Sequence, residues 1–318
     1  MPVALSTHLV IPFSGCSGHA WPAAMKAMPA DSLKNLARLL QGMALFKTDV
    51  ADVFSLSPPH ERVLANTLGL TGEGPLPDGL IPWAAQQAGE TAGKAWAFIT
   101  PCHWAMGREH ATMTDPAALK LTEAESKTLL AAMQPYFSTE GISLHYAQPE
   151  RWLAEGEVLR KLPSASLDRV LGRNVDRWLP GTRNIRLLQN EMQMLLYTHP
   201  LNDERSAKRQ RSINSFWISG TGALGQPLKP ASNMPEVPRQ LAQAAFADDW
   251  AAYAQAWQAL DKTEIASFLA RQNAGEALTL SLCGERAAHT FKSRPRNLKT
   301  RLAGLLAPVR PISLLEQL

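Results

Sequence analysis

The chain has 318 residues, of which 45% are hydrophobic and 19% are charged. This length predicts one large or two moderate domains whose core needs no disulfide staples, which excludes disulfide scaffolds and intrinsically disordered chains. The 32 Lys and Arg residues exceed the 28 Asp and Glu residues by four, an excess too small to indicate a nucleic-acid-binding protein.

The predicted elements begin with short strands and helices in alternation. Residues 8–13 predict a buried strand followed by a Ser/Gly turn, and the Leu spacing over residues 32–46 predicts an amphipathic helix. Residues 71–82 hold Gly and Pro breakers and predict a loop. The T-x-x-E capping box at residues 122–125 predicts a helix that runs to about residue 133. Further strands are predicted over residues 96–100, 142–146, 215–219 and 277–283.

The second half of the chain continues this alternation. An apolar stripe over residues 183–198 predicts a long helix, and an Arg-rich loop is expected over residues 199–211. A Gly-Thr-Gly turn at residues 220–222 is expected to end the strand before it. A helix running to about residue 260 and a basic helix over residues 296–306 complete the prediction.

Short strands interleaved with helices favour an α/β fold with a mainly parallel sheet. We assign residues 1–70 and 186–318 to an α/β core domain, and residues 71–185 to a smaller inserted or capping unit. Three widely spaced cysteines without a C-x-x-C pair indicate reduced thiols in the cytoplasm. Neither a signal peptide nor a membrane span is expected from the hydropathy pattern.

One helix–loop–strand segment concentrates imidazole, amide and guanidinium groups. Arg offers a bidentate fork to phosphate or carboxylate oxyanions, while Asn and His side chains fix orientation. The segment therefore predicts a binding site for a small phosphorylated or carboxylated molecule, and a solvated loop with capping polar residues is the alternative. The candidate binding residues are Asn190, Glu191, His199, Asn202, Arg205 and Asn214.

Two stretches of this segment resemble a known family. L-L-Y-T-H-P-L-N-D-E-R at residues 195–205 and N-S-F-W-I-S-G-T-G at residues 214–222 resemble the archaeal-type, cofactor-independent phosphoglycerate mutases. The preceding Q-N-E-M-Q-M at residues 189–194 is similar to the bacterial RpfE-type regulatory proteins. The specific resemblance covers about 35 residues, 188–222.

Weaker similarities extend this resemblance to both ends of the chain. N-L-x-x-L at residues 35–39 is similar to the helix after the first strand of alkaline-phosphatase-like enzymes, and L-T-L-S-L-C-G-E at residues 278–285 to a late metal-ligand strand. The resemblance implies a three-layer α/β sandwich, a degenerate member of the alkaline-phosphatase-like superfamily. It also implies that His199, Asn202 and Arg205 belong to the substrate-contacting loop.

The chain departs from the family at the metal centre. The resemblance implies two divalent metals held by Asp and His, with a Ser or Thr nucleophile. Residues 11–14 are I-P-F-S where Asp-Gly would end the first strand, and residues 284–285 are Gly-Glu where Asp-His would stand. A D-x-x-G-H motif is missing between residues 238 and 277. Mutase chemistry by the family mechanism is therefore not expected, and neither is a metal or cofactor.

We predict a cytoplasmic regulatory or sensing protein that binds a small phosphorylated or carboxylated ligand. One alternative is an active metal-dependent phosphomutase or phosphatase with ligands relocated to His103, His110 and Asp115. These residues match no zinc-site spacing, so structural histidines are the simpler interpretation. Another is an interaction module that uses the basic residues 285–318 to contact a protein partner. Nucleic acid is disfavoured as that partner because Phe291 is the one aromatic residue among those charges.

Overall fold

The computed structural model describes residues 6–71, 74–90, 93–226, 234–294 and 310–318. The chain divides into two compact units. Unit 1 comprises residues 1–54, 59–68 and 231–318, and unit 2 comprises residues 55–58 and 69–230. Residues 186–230, which the sequence analysis assigned to the core domain, fall in unit 2.

Most of the described helices have ten residues or fewer. The described α-helices are α1 (Trp21–Ala27), α2 (Lys34–Gln41), α3 (Pro59–Thr67), α4 (Trp83–Gln87), α5 (Glu123–Thr139), α6 (Leu167–Val170), α7 (Arg183–Tyr197), α8 (Pro200–Ala207), α9 (Gln240–Phe246), α10 (Trp250–Lys262), α11 (Glu264–Asn273) and α12 (Pro311–Leu315). None of these described helices is both long and apolar enough to cross a membrane.

Most strands have between four and nine residues. The described strands are β1 (His8–Ile11), β2 (Met43–Val50), β3 (Ala95–Cys102), β4 (Trp104–Met106), β5 (Ala111–Met113), β6 (Ser143–Gln148), β7 (Arg151–Glu155), β8 (Ser215–Ala223), β9 (Thr279–Cys283) and β10 (Ala287–Ser293).

Unit 1 is built on a four-stranded sheet in the order β1-β9-β10-β2. β1 and β9 pair in parallel, and the other two ladders are antiparallel. One face packs against helices α1, α2 and α9–α11 around the fully buried Trp257. α3 covers part of the opposite face, where Val63 contacts Val10, Cys283 and Ala288.

Unit 2 is built on a second four-stranded sheet in the order β6-β7-β3-β8, which is antiparallel throughout. α5 and α7 pack against each other and against this sheet. Their shared core holds the buried aromatic side chains of Phe137, Trp152 and Phe216. β4 and β5 form a separate two-stranded hairpin.

The predicted α/β class is confirmed, whereas the prediction of a mainly parallel sheet is wrong. Among the described strands, β1 and β9 form the one parallel ladder. Short connections explain two of the antiparallel pairs, because β6–β7 and β9–β10 are joined by two and three residues. Parallel neighbours need a crossover of a dozen or more residues, so short connections produce antiparallel pairs.

Three local predictions also differ from the structure. The helix predicted over residues 32–46 ends at Gln41, and residues 43–46 belong to β2. The loop predicted over residues 199–211 contains α8, because Pro200 suits the first position of a helix. β8 continues through the Gly-Thr-Gly sequence instead of ending before it. The basic helix predicted over residues 296–306 lies outside the described residues.

Candidate functional site

His199 stands where α7 ends and α8 begins. It is the N-cap of α8, and its Nδ1 atom accepts a hydrogen bond from the backbone N–H of Leu201 at 3.2 Å. Because Nδ1 is the acceptor, the neutral ring carries its hydrogen on Nε2. The half-buried His199 side chain lines an open groove of about 620 Å³.

Asn202 lies inside unit 2 and ties α7 to the segment before β8. Its Nδ2 atom donates to the carbonyls of Leu196 (2.7 Å) and Ile213 (2.8 Å). Its Oδ1 atom accepts from the backbone N–H of Ile213 at 2.8 Å. Both donors and the acceptor of the amide are therefore engaged by backbone groups, which fixes the position of α8.

Arg205 has no exposed surface. Its Nε atom donates to the carbonyl of Arg211 (2.8 Å), and Nη2 donates to the carbonyl of Leu119 (2.7 Å). Nη1 donates to Oε1 of Glu125 at 2.9 Å. The guanidinium fork that the sequence analysis assigned to a ligand thus holds three other parts of unit 2 together.

The remaining predicted residues lie outside the groove. Asn190 and Glu191 are exposed on α7. Asn214 bonds Trp104 twice, with Oδ1 accepting from its N–H at 2.8 Å and Nδ2 donating to its carbonyl at 3.0 Å. Of the six predicted binding residues, His199 is the one that lines the groove.

The groove carries polar side chains that the sequence analysis did not select. Part of the lining comes from the start of α5, with Thr122 and Glu125. The rest includes Glu204 on α8 and, after the end of α8, Lys208 and Gln210. Burial acts to raise the pKa of Glu125, but hydrogen bonds from Thr122 and Arg205 outweigh it and lower the pKa. Glu125 is therefore ionised and its charge is compensated by Arg205. Glu204 and Lys208 are left as the exposed charges of the groove.

The carboxyl ends of β1 and β9 form a second place of interest, since open α/β sheets bind ligands there. The buried Ser14 donates its hydroxyl to the carbonyl of Ile11 at 2.6 Å, and Ser17 donates its N–H and hydroxyl to Glu285. The carbonyl of Leu318 accepts from the N–H of Ala287 at 3.1 Å. Residues 310–318 thus pack against this edge of the sheet.

The three residues that the alternative enzyme hypothesis proposes as relocated metal ligands are either hydrogen-bonded to other groups or exposed. Asp115 caps a short 3-10 turn by accepting from the N–H of Ala117 at 2.9 Å. His103 bonds through Nδ1 to the carbonyl of Ser212 at 2.9 Å, and His110 is exposed. Within the part of the chain that the structure describes, no three His, Cys, Asp or Glu side chains are grouped to hold a metal ion.

Comparison with solved structures finds proteins that are similar to this chain. No protein-family model matches the chain, and no curated protein matches it. The cofactor-independent phosphoglycerate mutase of Thermoplasma acidophilum DSM 1728 is 12% identical, with a TM-score of 0.34, over 98% of this chain and 99% of the other. The PH0037 protein of Pyrococcus horikoshii is 10% identical, with a TM-score of 0.45, over 98% and 95%. Neither similarity assigns an activity to this chain, and the resemblance to RpfE-type regulatory proteins stays a prediction from sequence.

Proposed function

We propose that this protein is a regulatory or sensing protein that binds a small phosphorylated or carboxylated molecule in the groove beside α8. The observation that carries the proposal is the capping bond of His199, which leaves Nε2–H as the donor of the neutral ring. Lys208 and Gln210 line the same groove. An imidazole N–H, an ammonium and an amide together offer the donors that an oxyanion needs.

The charges of the groove decide where an anion binds. Arg205 compensates Glu125, so the acidic side chain that repels a ligand is Glu204, which is exposed and lines the groove. A phosphate dianion is attracted by Lys208 and repelled by Glu204, and each interaction strengthens as the distance to that charge shortens. We therefore expect the affinity to fall when Lys208 is neutralised and to rise when Glu204 is neutralised.

Asn202 and Arg205 act as positioning residues in this proposal. Their side chains are engaged by Leu196, Ile213 and Glu125, so they hold α8 and its His199 cap against the rest of unit 2. Asn190 and Glu191 take no part in it. The site selected from sequence thereby reduces to His199, joined by Lys208 and Gln210.

Isothermal titration calorimetry with 3-phosphoglycerate, glycerate and inorganic phosphate tests the proposal on the full chain. His199→Asn is the informative variant, because asparagine also caps helices and removes only the ring N–H. We expect this variant and Lys208→Gln each to weaken binding of 3-phosphoglycerate by about tenfold, or about 1.4 kcal/mol. Glu204→Gln should tighten it.

Lys161→Gln is the matched control, since Lys161 is an exposed lysine of unit 2 outside the groove. It should bind each probe like the unaltered protein. Absence of heat with all three probes, together with an unchanged melting temperature, would refute the proposal. Equal affinity of the unaltered protein and the Lys208→Gln variant would refute the assignment to this groove.

A further inference from the structure

The sheet of unit 1 has a polar half on the face that α3 covers. Val10, Cys283 and Ala288 form the apolar half beneath Val63. Beyond them a pocket of about 390 Å³ opens between α3 and all four strands. Its volume lies in the range of small-molecule sites. Its polar lining includes His8, Lys47, Asp49, Thr290 and Lys292.

A chain of hydrogen bonds crosses three adjacent strands at the floor of the pocket. Nε2 of His8 on β1 lies 2.9 Å from the hydroxyl of Ser281 on β9, which lies 2.8 Å from the hydroxyl of Thr290 on β10. Ser281 is fully buried and Thr290 is half-buried at the pocket. Of the two hydroxyl groups, that of Thr290 is therefore the one that a bound molecule can reach.

The donor-to-acceptor direction of these hydrogen bonds depends on the group that bonds to the Thr290 hydroxyl. If Ser281 donates to Nε2 of His8, Thr290 donates to Ser281 and its hydroxyl hydrogen is used. If Nε2 carries the hydrogen, Ser281 donates to Thr290, and the Thr290 hydroxyl is free to donate into the pocket. An acceptor bound at Thr290 therefore selects the Nε2–H tautomer of His8.

The net charge of the pocket is positive. Asp49 is paired with Arg62, whose Nε atom donates to Oδ1 at 2.8 Å. Lys47 is exposed, and Lys292 places its ammonium 3.5 Å from the ring centroid of Phe46. Neither lysine has an ion pair with a carboxylate among the described residues. The pocket thus presents two uncompensated cations above a hydroxyl donor.

We propose that this pocket is a second ligand site, which binds a small phosphomonoester independently of the groove in unit 2. The phosphate lies between Lys47 and Lys292 and accepts a hydrogen bond from Thr290. The organic part of the ligand occupies the space between the sheet and α3. Ser281 and the neutral His8 act as positioning residues that orient the Thr290 hydroxyl towards the phosphate.

Nitrogen-15 NMR of the histidine side chains in the full chain tests this proposal and reports the two sites separately. On titration with inorganic phosphate or glycerol 2-phosphate, we expect the ring nitrogens of His8 to shift towards the Nε2–H tautomer. Glycerol should leave them unchanged. The His199 ring reports the groove of unit 2, so a response at His8 without one at His199 supports this site while counting against the other.

Three variants locate the ligand. Lys47→Gln and Lys292→Gln should each weaken phosphate binding at His8 by about tenfold, and Thr290→Val should abolish the tautomer shift. Lys262→Gln is the control, because Lys262 is an exposed lysine of unit 1 outside the pocket. An unchanged His8 signal at saturating glycerol 2-phosphate would overturn the proposal. So would unaltered affinity of the Lys47→Gln and Lys292→Gln variants.

Discussion

Arg205 and Glu125 form an ion pair with 2.9 Å between Nη1 and Oε1, and the arginine side chain has no solvent exposure. The pair joins α8 to the first turn of α5, at a helix start where Thr122 also bonds Glu125. Glu125 therefore accepts hydrogen bonds both from Thr122, in the capping box of its own helix, and from a guanidinium that lies 80 residues away in sequence. The relationship makes Arg205 a determinant of stability.

Replacing Arg205 should therefore destabilise the protein strongly. Arg205→Ala leaves Glu125 uncompensated and the carbonyls of Leu119 and Arg211 without their donors, and breaking such a buried pair costs about 3–5 kcal/mol. Urea unfolding followed by tryptophan fluorescence measures the loss. Lys208→Ala on the exposed side of the same segment should cost less than about 0.5 kcal/mol. A loss below about 1 kcal/mol for Arg205→Ala would contradict the structural role.

Asn202 should be similarly intolerant of change. Asn202→Ala removes two donors and one acceptor from the buried backbone groups of Leu196 and Ile213. Unsatisfied buried groups of this kind cost about 1–3 kcal/mol each, and we expect a total of about 2–4 kcal/mol after local relaxation. Asn190→Ala is the matched control on the exposed side of α7. The idea fails if the two variants unfold at the same urea concentration.

His8 should make the stability of the protein depend on pH. Burial, and secondarily the charge of Lys292, lower the pKa of His8 from 6.5 to about 4. Between these values the unfolded chain binds a proton that the folded chain does not, so the free energy of unfolding falls as pH drops from 6.5 to 4. The full loss is about 3 kcal/mol.

Comparison of two variants isolates this contribution. His8→Gln keeps a hydrogen-bonding partner for Ser281 and cannot titrate, so its stability should fall less between pH 7 and pH 4.5. His110→Gln, at an exposed histidine, should retain the pH profile of the unaltered protein. Superimposable profiles for the unaltered protein and His8→Gln would show that His8 is not the titrating group.

Gly284 should tolerate no side chain. A Cβ atom there would lie 2.5 Å from the carbonyl carbon and oxygen of Leu318. Gly284→Ala must therefore displace residues 310–318, at a cost of about 1–3 kcal/mol. Hydrogen exchange should increase at the N–H of Ala287, which bonds to Leu318. Gly181→Ala, where a Cβ atom would meet open space, should change neither quantity.

Local signals in the sequence predicted local structure well. The capping box before α5 is present in both directions, with Glu125 donating its N–H to Thr122 and accepting from the Thr122 N–H. The apolar stripe of residues 183–198 is α7, whose bounds differ by one residue. Such features depend on neighbours within one or two helical turns, so the sequence contains the information directly.

The candidate site depended on partners that spacing cannot show. Arg205 was selected as an oxyanion fork, but its polar partners include Glu125 and Leu119, which lie 80 and 86 residues away. A buried structural arginine and a ligand-binding arginine look alike in a sequence. Lys208 and Gln210 lie within the polar segment of residues 199–211, and the lining of the folded groove shows them to be neighbours of His199.

The polar lining of the unit 1 pocket corresponds to only a weak pattern in the sequence. His8 opens an otherwise apolar strand, and Thr290 and Lys292 alternate with Phe291 on β10. A polar strand face also occurs where a sheet meets solvent, so this pattern does not by itself indicate a cavity. Recognising it required knowing that β1 and β10 both border β9, which the sequence does not specify locally.

The pairing of β1 with β9 has a consequence for how the chain folds as it is synthesised. His8 lies beside Thr279, and residues 69–230 of unit 2 separate the two strands along the chain. Residues 69–230 of unit 2 are synthesised before β9, so β1 has no strand partner until β9 has been made. Contacts of such sequence separation also slow refolding. The residues of β1 are thus among the last to reach their native partners.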